Sequence, residues 1–281
     1  MNVKSLFLKK NILIKMKVIF NCIALFIIVF LNSCEDKIDL KLDSVADKYV
    51  IVADLHNANT AQMIVINRAV DFSNNSASNP VIGANVVVKN ITSGRSYQFV
   101  DQSNGEYIMD RMTLREGNSY ALSVQMPDGS LYESTCTMPA YVAVDSIGLV
   151  RKKTFDEEYI YASLSFLDPP AKENYYKYKI KLNNEDFKFS DVFSDKFNDG
   201  LFVEHEIANE DNDIKVGDEI KILRQCIAKD VYTYWSNIKG QNPGSAAPSN
   251  PISNISNGAL GYFSVSSAQY YDLKVLQTKK L

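Results

Sequence analysis

The sequence predicts an all-β protein made of two β-sandwich-like units, with one amphipathic helix in the second. Three observations carry that expectation. Short alternating apolar runs separated by Gly, Pro, Asn and Asp turns begin at Tyr49, a proline break falls at Met138-Pro139, and a single stretch changes its apolar period from two to between three and four. In chain order, strands are expected over residues 49–55, 62–68, 84–89, 97–100 and 107–109. In 118–126 the residues Tyr120, Leu122, Val124 and Met126 share one face; Pro127-Asp128-Gly129 then reverses the chain into a further run over 131–138. That pair reads as a hairpin, because proline presets φ and glycine accepts the positive φ of a tight reversal. The first sandwich therefore covers 49–140, and Pro139 ends it because proline supplies no ladder donor.

The second unit, 141–281, is strand-rich as well. Residues 159–167 alternate, and Asp168-Pro169-Pro170 interrupts them. Tyr176, Tyr178, Ile180 and Leu182 form one face of the next strand while Lys177, Lys179 and Lys181 form the other, the pattern of a half-exposed strand. Further strands are expected over 202–207 and 219–225. Ile227, Val231, Trp235 and Ile238 then follow a helical spacing, with Asp230 near the start and Gly240 at the stop, so a helix is placed over 227–239 with Trp235 as its core anchor. Pro243, Pro248 and Pro251 make 240–258 a loop, after which 259–265 is again strand-like.

Ahead of these strands lies a segment read as an address. Residues 1–17 are basic without an acid, and 18–31 form a 14-residue apolar run broken by Asn21 and Cys22. At about 1.5 Å per residue such a helix reaches roughly 21 Å, short of the roughly 30 Å hydrocarbon core, which fits a signal peptide over 1–33 better than a span. The reading is the same if translation starts at Met16. Leu31-Asn32-Ser33-Cys34 resembles a bacterial lipobox, in which a small residue before the cysteine admits the peptidase and the thiol takes the lipid. Cys34 is thus the expected lipid-attachment site and 34–48 a polar tether. Glu35-Asp36 directly after it resembles a signal for export to the outer face of the outer membrane. Two or three acyl chains hold a protein to a membrane essentially permanently, so the expected location is the outer membrane, lipid-anchored and facing the cell surface.

The chain carries 30 Lys+Arg against 33 Asp+Glu. Lys4, Lys9, Lys10, Lys15 and Lys17 all precede Cys34 and no acid does, which leaves 25 against 33, a charge of −8 after cleavage. A surface that acidic disfavours nucleic acid. Of the four cysteines, Cys136 and Cys226 remain for the folded part, either as a disulfide or as two separate buried thiols. With His56 and His205 as the only histidines, no zinc ligand set is present and no cofactor motif occurs. Glu204-His205-Glu206 places its carboxylates and its imidazole on opposite strand faces and reads as a solvated strand. The acidic stretch 191–219, with Asp195, Asn198 and Asp199 and then Glu210, Asp211 and Asp213, reads as turns between strands, with calcium the lesser alternative since the spacing is not that of an EF-hand. No G-x-S-x-G elbow or phosphate loop occurs, and no catalytic residue is assigned. In the pairs Tyr175-Tyr176 and Tyr270-Tyr271 one ring of each must face outward. Tyr175 and Tyr270, with Asn254 from the loop and Tyr262 from the strand-like segment after it, form the candidate contact surface. Asp43-Ser44-Val45 and Asp145-Ser146-Ile147 resemble O-glycosylation acceptors.

Ile82-Gly83-Ala84-Asn85-Val86-Val87-Val88, with Gly105-Glu106-Tyr107 and Gly117-Asn118-Ser119-Tyr120 after it, resembles the carboxypeptidase-regulatory or transthyretin-like sandwiches, which are non-catalytic accessories. The lipobox cysteine, that sandwich, the Tyr232 to Trp235 helix, and Asn250-Pro251-Ile252-Ser253-Asn254-Ile255 before Gly258-Ala259-Leu260-Gly261-Tyr262-Phe263 together resemble a group of outer-membrane lipoproteins of the Bacteroidota catalogued as a domain of unknown function. The resemblance implies a non-enzymatic accessory of TonB-dependent nutrient uptake. Its partners would be a TonB-dependent receptor and a small-molecule, glycan or peptide ligand. A surface hydrolase acting on glycan or peptide, and a structural or adhesion protein of the envelope, are the competing expectations.

Overall fold

Alternating strands have one apolar face to hide, and the chain hides it in two successive cores. The structure, a computed structural model, describes residues 48–69, 79–154, 157–209, 211, 213–240 and 250–277, all of them within the compact unit Ser44–Leu281. The expected leader, Cys34, the tether up to residue 47 and residues 241–249 of the predicted loop lie outside the described residues.

The protein is all-β with one described helix. Its first eight strands are β1 (Tyr49–His56), β2 (Gln62–Arg68), β3 (Asn79–Pro80), β4 (Asn85–Asn90), β5 (Ser96–Asp101), β6 (Glu106–Met109), β7 (Ser119–Gln125) and β8 (Leu131–Thr137). All seven expected strands are present. The addition is the two-residue β3 on the edge of β2, too short to show any alternation. Strands β1, β2 and β6 form one layer and β5, β4, β7 and β8 the other, joined where Val100 and Asp101 pair with Ile108 and Tyr107. Between them lie Ile51, Ile64, Ile66, Val86, Phe99, Leu122 and Val124, each worth about 1.5–3 kcal/mol of burial. Tyr107 shows why the Gly83-Ala84 segment is shaped as it is. Its buried hydroxyl donates to the Val81 carbonyl at 2.9 Å and accepts the Ala84 N–H at 3.1 Å, closing the turn from inside.

The second half contains β9 (Ser146–Thr154), β10 (Glu157–Leu167), β11 (Tyr175–Leu182), β12 (Lys188–Ser194), β13 (Phe202–Ile207), β14 (Glu219–Cys226), α1 (Lys229–Gly240) and β15 (Leu260–Lys274). Sheet β13-β10-β9 packs against β12-β11-β14-β15 around Phe166, Tyr176, Tyr178, Ile180 and Ile222. Tyr176, Tyr178, Ile180 and Leu182 are buried, as their spacing predicts. On the lysine face of β11, Lys179 and Lys181 are half-exposed as expected, but Lys177 is not. Lys177 is 0% exposed, because α1 and β12 cover that face and Phe189 stacks on Trp235 at 4.2 Å. The helix begins at Lys229 rather than 227 and buries Val231 against Val192, Ile227 and Tyr262.

β15 links the two cores. Leu260 to Ser266 run parallel to β1, and Ser267 to Lys274 run antiparallel to β14. The segment 260–266, read from sequence with the second unit, thus completes the first sandwich. Gly261 makes this possible: at φ +93° its missing Cβ leaves room for the Ile51 backbone.

The two cysteines are separate buried thiols, not a bridge. Cys136 sits in the first core and its Sγ accepts the Val265 N–H at 3.3 Å; Cys226 sits in the second and accepts the Val142 N–H at 3.4 Å.

Glu204, His205 and Glu206 alternate across β13 as expected, but the imidazole is core rather than solvated. It stacks on Phe193 at 4.0 Å and its Nδ1 lies 2.9 Å from the Tyr178 hydroxyl. Burial, with the Arg224 guanidinium nearby, pushes His205 down to about 3, and burial pushes His56 down to about 4. Both folded-state values are depressed below 6.5, so the stability they contribute is present above pH 6.5 and is lost as pH falls toward 4 and then 3. His205→Leu is expected to remove about one proton from this acid response, about 1.4 kcal/mol per pH unit, between pH 6 and 4. Urea midpoints measured across that window check it, and identical slopes in both proteins would refute it.

Candidate functional site

Two prolines and a short turn set up the cleft. Asp168-Pro169-Pro170 ends β10, since neither proline can donate to a ladder, and the chain returns through Asn174 into β11. The end of β12 and the start of α1 close the other sides. The result is an open cleft of about 700 Å³ whose walls include Lys172, Glu173, Tyr175, Lys196, Lys229 and Tyr232. The Tyr175 and Tyr232 rings lie 5.0 Å apart, tilted by 34°. Tyr175 donates its hydroxyl to Glu173 at 2.8 Å, and Lys229 reaches the same carboxylate at 2.9 Å. Both contacts are exposed, so they orient the ring without adding much stability. An aromatic pair beside mixed charges suits a polar ligand that also offers a flat or apolar face.

Asp195 and Asp199 line the same cleft, and with Asp168 they form a carboxylate cluster: one oxygen from each lies within 4.8 Å of the others. Asp168 and Asp195 are buried and Asp199 is exposed. The Tyr176 hydroxyl donates to Asp168 Oδ1, and the Asn174 N–H donates to Asp195 Oδ2 at 2.7 Å. Burial raises the Asp168 pKa above the ordinary carboxylate range against the Tyr176 bond, which lowers it; Asp195 and Asp199 raise it further. By contrast the second acidic stretch is a self-paired turn, with Asn209 and Asp213 bonded to each other through side chain and backbone.

The four expected contact residues do not converge. Tyr175 is in the cleft. Tyr270 is half-buried elsewhere, 5.7 Å from the Phe187 ring and 6.3 Å from that of His56. Tyr262 is a correction: it is buried beneath α1, packed on Trp235 and Tyr234. Asn254 is structural as well. Its side chain accepts the Phe263 N–H at 2.9 Å, donates to the Phe263 carbonyl at 2.8 Å and donates to Asp230 at 2.6 Å. It stands in for a neighbouring strand and ties the start of α1 to β15, which is why the Asn254 to Phe263 segment reads as a motif.

A second polar centre lies under α1. Asp54 is held by Lys177 Nζ at 2.8 Å and Lys179 Nζ at 2.7 Å, both on Oδ2, while Gln225 donates to Oδ1 at 3.0 Å. The Lys177 ammonium also lies 5.5 Å from the Trp235 ring and 5.3 Å from that of Tyr262. Neither the carboxylate cluster nor this ion centre was assigned from sequence. Their members come from stretches far apart in the sequence; the hints were Asp195 and Asp199 within the acidic stretch 191–219 and the lysine face of β11.

The profile of the family described as a domain of unknown function (DUF4249) matches residues 35–271. The chain belongs to that family. The DUF4249 match takes in the cleft, the carboxylate cluster, the Asp54 centre and all but the last few residues of β15. No curated protein matches the sequence. Among solved structures, trypsin-activated alpha-2-macroglobulin from Escherichia coli is similar over 82% of this chain at 11% identity, with a TM-score of 0.23. The DUF4249 chain covers 16% of that protein's chain, and a likeness this slight carries no functional argument.

Proposed function

We propose that this DUF4249 protein is an outer-membrane lipoprotein of the Bacteroidota type, anchored through Cys34 and facing the cell surface, that serves a TonB-dependent uptake system as a non-enzymatic binding component. The observation that carries the binding reading is the open cleft of about 700 Å³ with the Tyr175–Tyr232 pair at one wall. The Leu31 to Cys34 lipobox supports the anchor. The cleft's ligand is a small polar molecule, glycan or peptide.

A hydrolase reading draws on the facing carboxylates at the cleft edge. Glycoside hydrolysis places its two carboxyl groups about 5–5.5 Å apart or farther, with both reaching substrate. Here Asp168 is 1% exposed and bonded to the Tyr176 hydroxyl, out of reach of substrate, which favours binding over acid–base work.

The test is capture of the tagged, lipidated protein from its native membranes. The expected result is co-recovery of a TonB-dependent receptor, incorporation of a clickable palmitate analogue, and loss of both label and membrane sedimentation in Cys34→Ser. Recovery without any such receptor would overturn the uptake role; an unlabelled, soluble wild type would overturn the anchor.

A further inference from the structure

The carboxylate cluster at the cleft edge is assembled from two connections far apart in the sequence, β10–β11 and β12–β13. Asp168 follows β10, Asp195 follows β12, and Asp199 precedes β13. We propose that Asp168, Asp195 and Asp199 bind a calcium ion, with Asp199 at the mouth and water from the cleft completing the shell.

Two observations independent of each other support the site. One oxygen from each carboxylate falls within 4.8 Å of the others, close enough for a single cation to touch all three. Separately, Asp168 is 1% exposed, and its Oδ2 is buried without a hydrogen-bond partner, although Oδ1 accepts from Tyr176. The Asn174 side-chain amide beside it makes its shortest bond to the Lys172 carbonyl, at 2.7 Å. An orphaned carboxylate oxygen deep in a protein is costly unless a cation or proton meets it. Among the described residues no Lys, Arg or His forms an ion pair with any of the three acids.

The donor set decides the kind of ion. Three carboxylates without nitrogen or sulfur select a hard cation. Magnesium requires a near-ideal octahedron and gives up water reluctantly, whereas calcium takes six to eight oxygens in adaptable geometry. Asp195 already gives one oxygen to the Asn174 backbone and Asp168 one to Tyr176, so the cluster is irregular and incomplete on its own. That suits calcium with several waters, supplied from the open side where Asp195 and Asp199 meet the cleft.

The experiment is a terbium titration of the full-length protein in detergent, excited in the tyrosine band, since Tyr176 bonds directly to a ligand carboxylate and can pass its excitation to the ion. Sensitised emission that saturates and is displaced by calcium is expected. Asp199→Asn, an exposed change that leaves the fold intact, should weaken terbium at least tenfold; Asp213→Asn, in the other acidic turn, should leave it unchanged. Melting temperature should rise with calcium and return with a chelator. Absence of sensitised emission together with an unmoved melting temperature would overturn the site, as would equal affinity in Asp199→Asn and wild type. The outcome stands apart from receptor capture: a silent titration refutes the calcium site alone, and a missing receptor refutes the uptake role alone.

Discussion

Gly261→Ala is expected to abolish folding or to cost more than about 4 kcal/mol, the range reserved for changes that the surrounding backbone cannot absorb. A Cβ added at this position would overlap the Ile51 carbonyl oxygen and lie 2.7 Å from the Ile51 carbonyl carbon and 3.1 Å from its amide nitrogen. Those are main-chain atoms in the middle of β1, itself paired with β2 on its other edge, so there is no flexible end to move aside. The substitution also places an L side chain at φ +93°, where strain adds about 1–3 kcal/mol. Relief would require β15 to leave β1, which would take Phe263 and Val265 out of the first core. Gly258→Ala is the control. It has φ +70° but open space around its would-be Cβ, and should cost about 1 kcal/mol. Urea unfolding of the three proteins checks the contrast; equal midpoints for the two variants would show that the β1–β15 contact is loose.

The same strand shows how far the sequence could be read. Alternation found every strand of the first sandwich long enough to alternate, because one wet and one dry face leave a period of two. It placed β11 for the same reason, and the 3.6-residue spacing placed α1. β9 and β12 were missed: Arg151, Lys152 and Lys153 hide the period of β9, and the mixed, half-buried faces of β12 give none. Partners across the fold were less legible still. Nothing local tells that 260–266 joins β1, some 200 residues earlier, or that Asn254 is a backbone clamp rather than a contact residue. The cleft was half legible, since Tyr175 follows from the outward-facing member of a tyrosine pair. Asp168 was read as a strand break, and its meeting with Asp195 and Asp199 is a product of the tertiary fold.

The second large effect is expected at the ion centre under α1. Asp54→Ala should cost about 3–5 kcal/mol, the range for breaking a buried ion pair and leaving a charge without its partner. Burial alone would raise the Asp54 carboxyl, but Lys177 and Lys179 overcome it and hold the group well below the usual carboxylate range. Burial pushes Lys177 the other way, down to about 8, against the pull of Asp54. Removing the carboxylate leaves two ammoniums that had shared one oxygen, at 2.8 and 2.7 Å, facing each other with Gln225 unable to neutralise either. Lys177 must then lose its proton to stay inside. Its folded-state pKa, already below 10.5, drops further, and a depressed value contributes stability that is present above the unfolded value and lost as pH falls. The Asp54→Ala deficit should therefore shrink as pH rises to about 8, where wild-type Lys177 also gives up its proton, and stay level from there to pH 10. Lys177→Met leaves Asp54 paired with Lys179 and should cost less, and Asp54→Leu combined with Lys177→Met should be more stable than Asp54→Leu alone, because no unpaired ammonium remains beneath Trp235. Chemical denaturation of this cycle at pH 7 and pH 10 reads all of these terms. A deficit of less than about 1 kcal/mol, or one that does not change with pH, would mean that Lys177 reaches water and that α1 does not seal the centre.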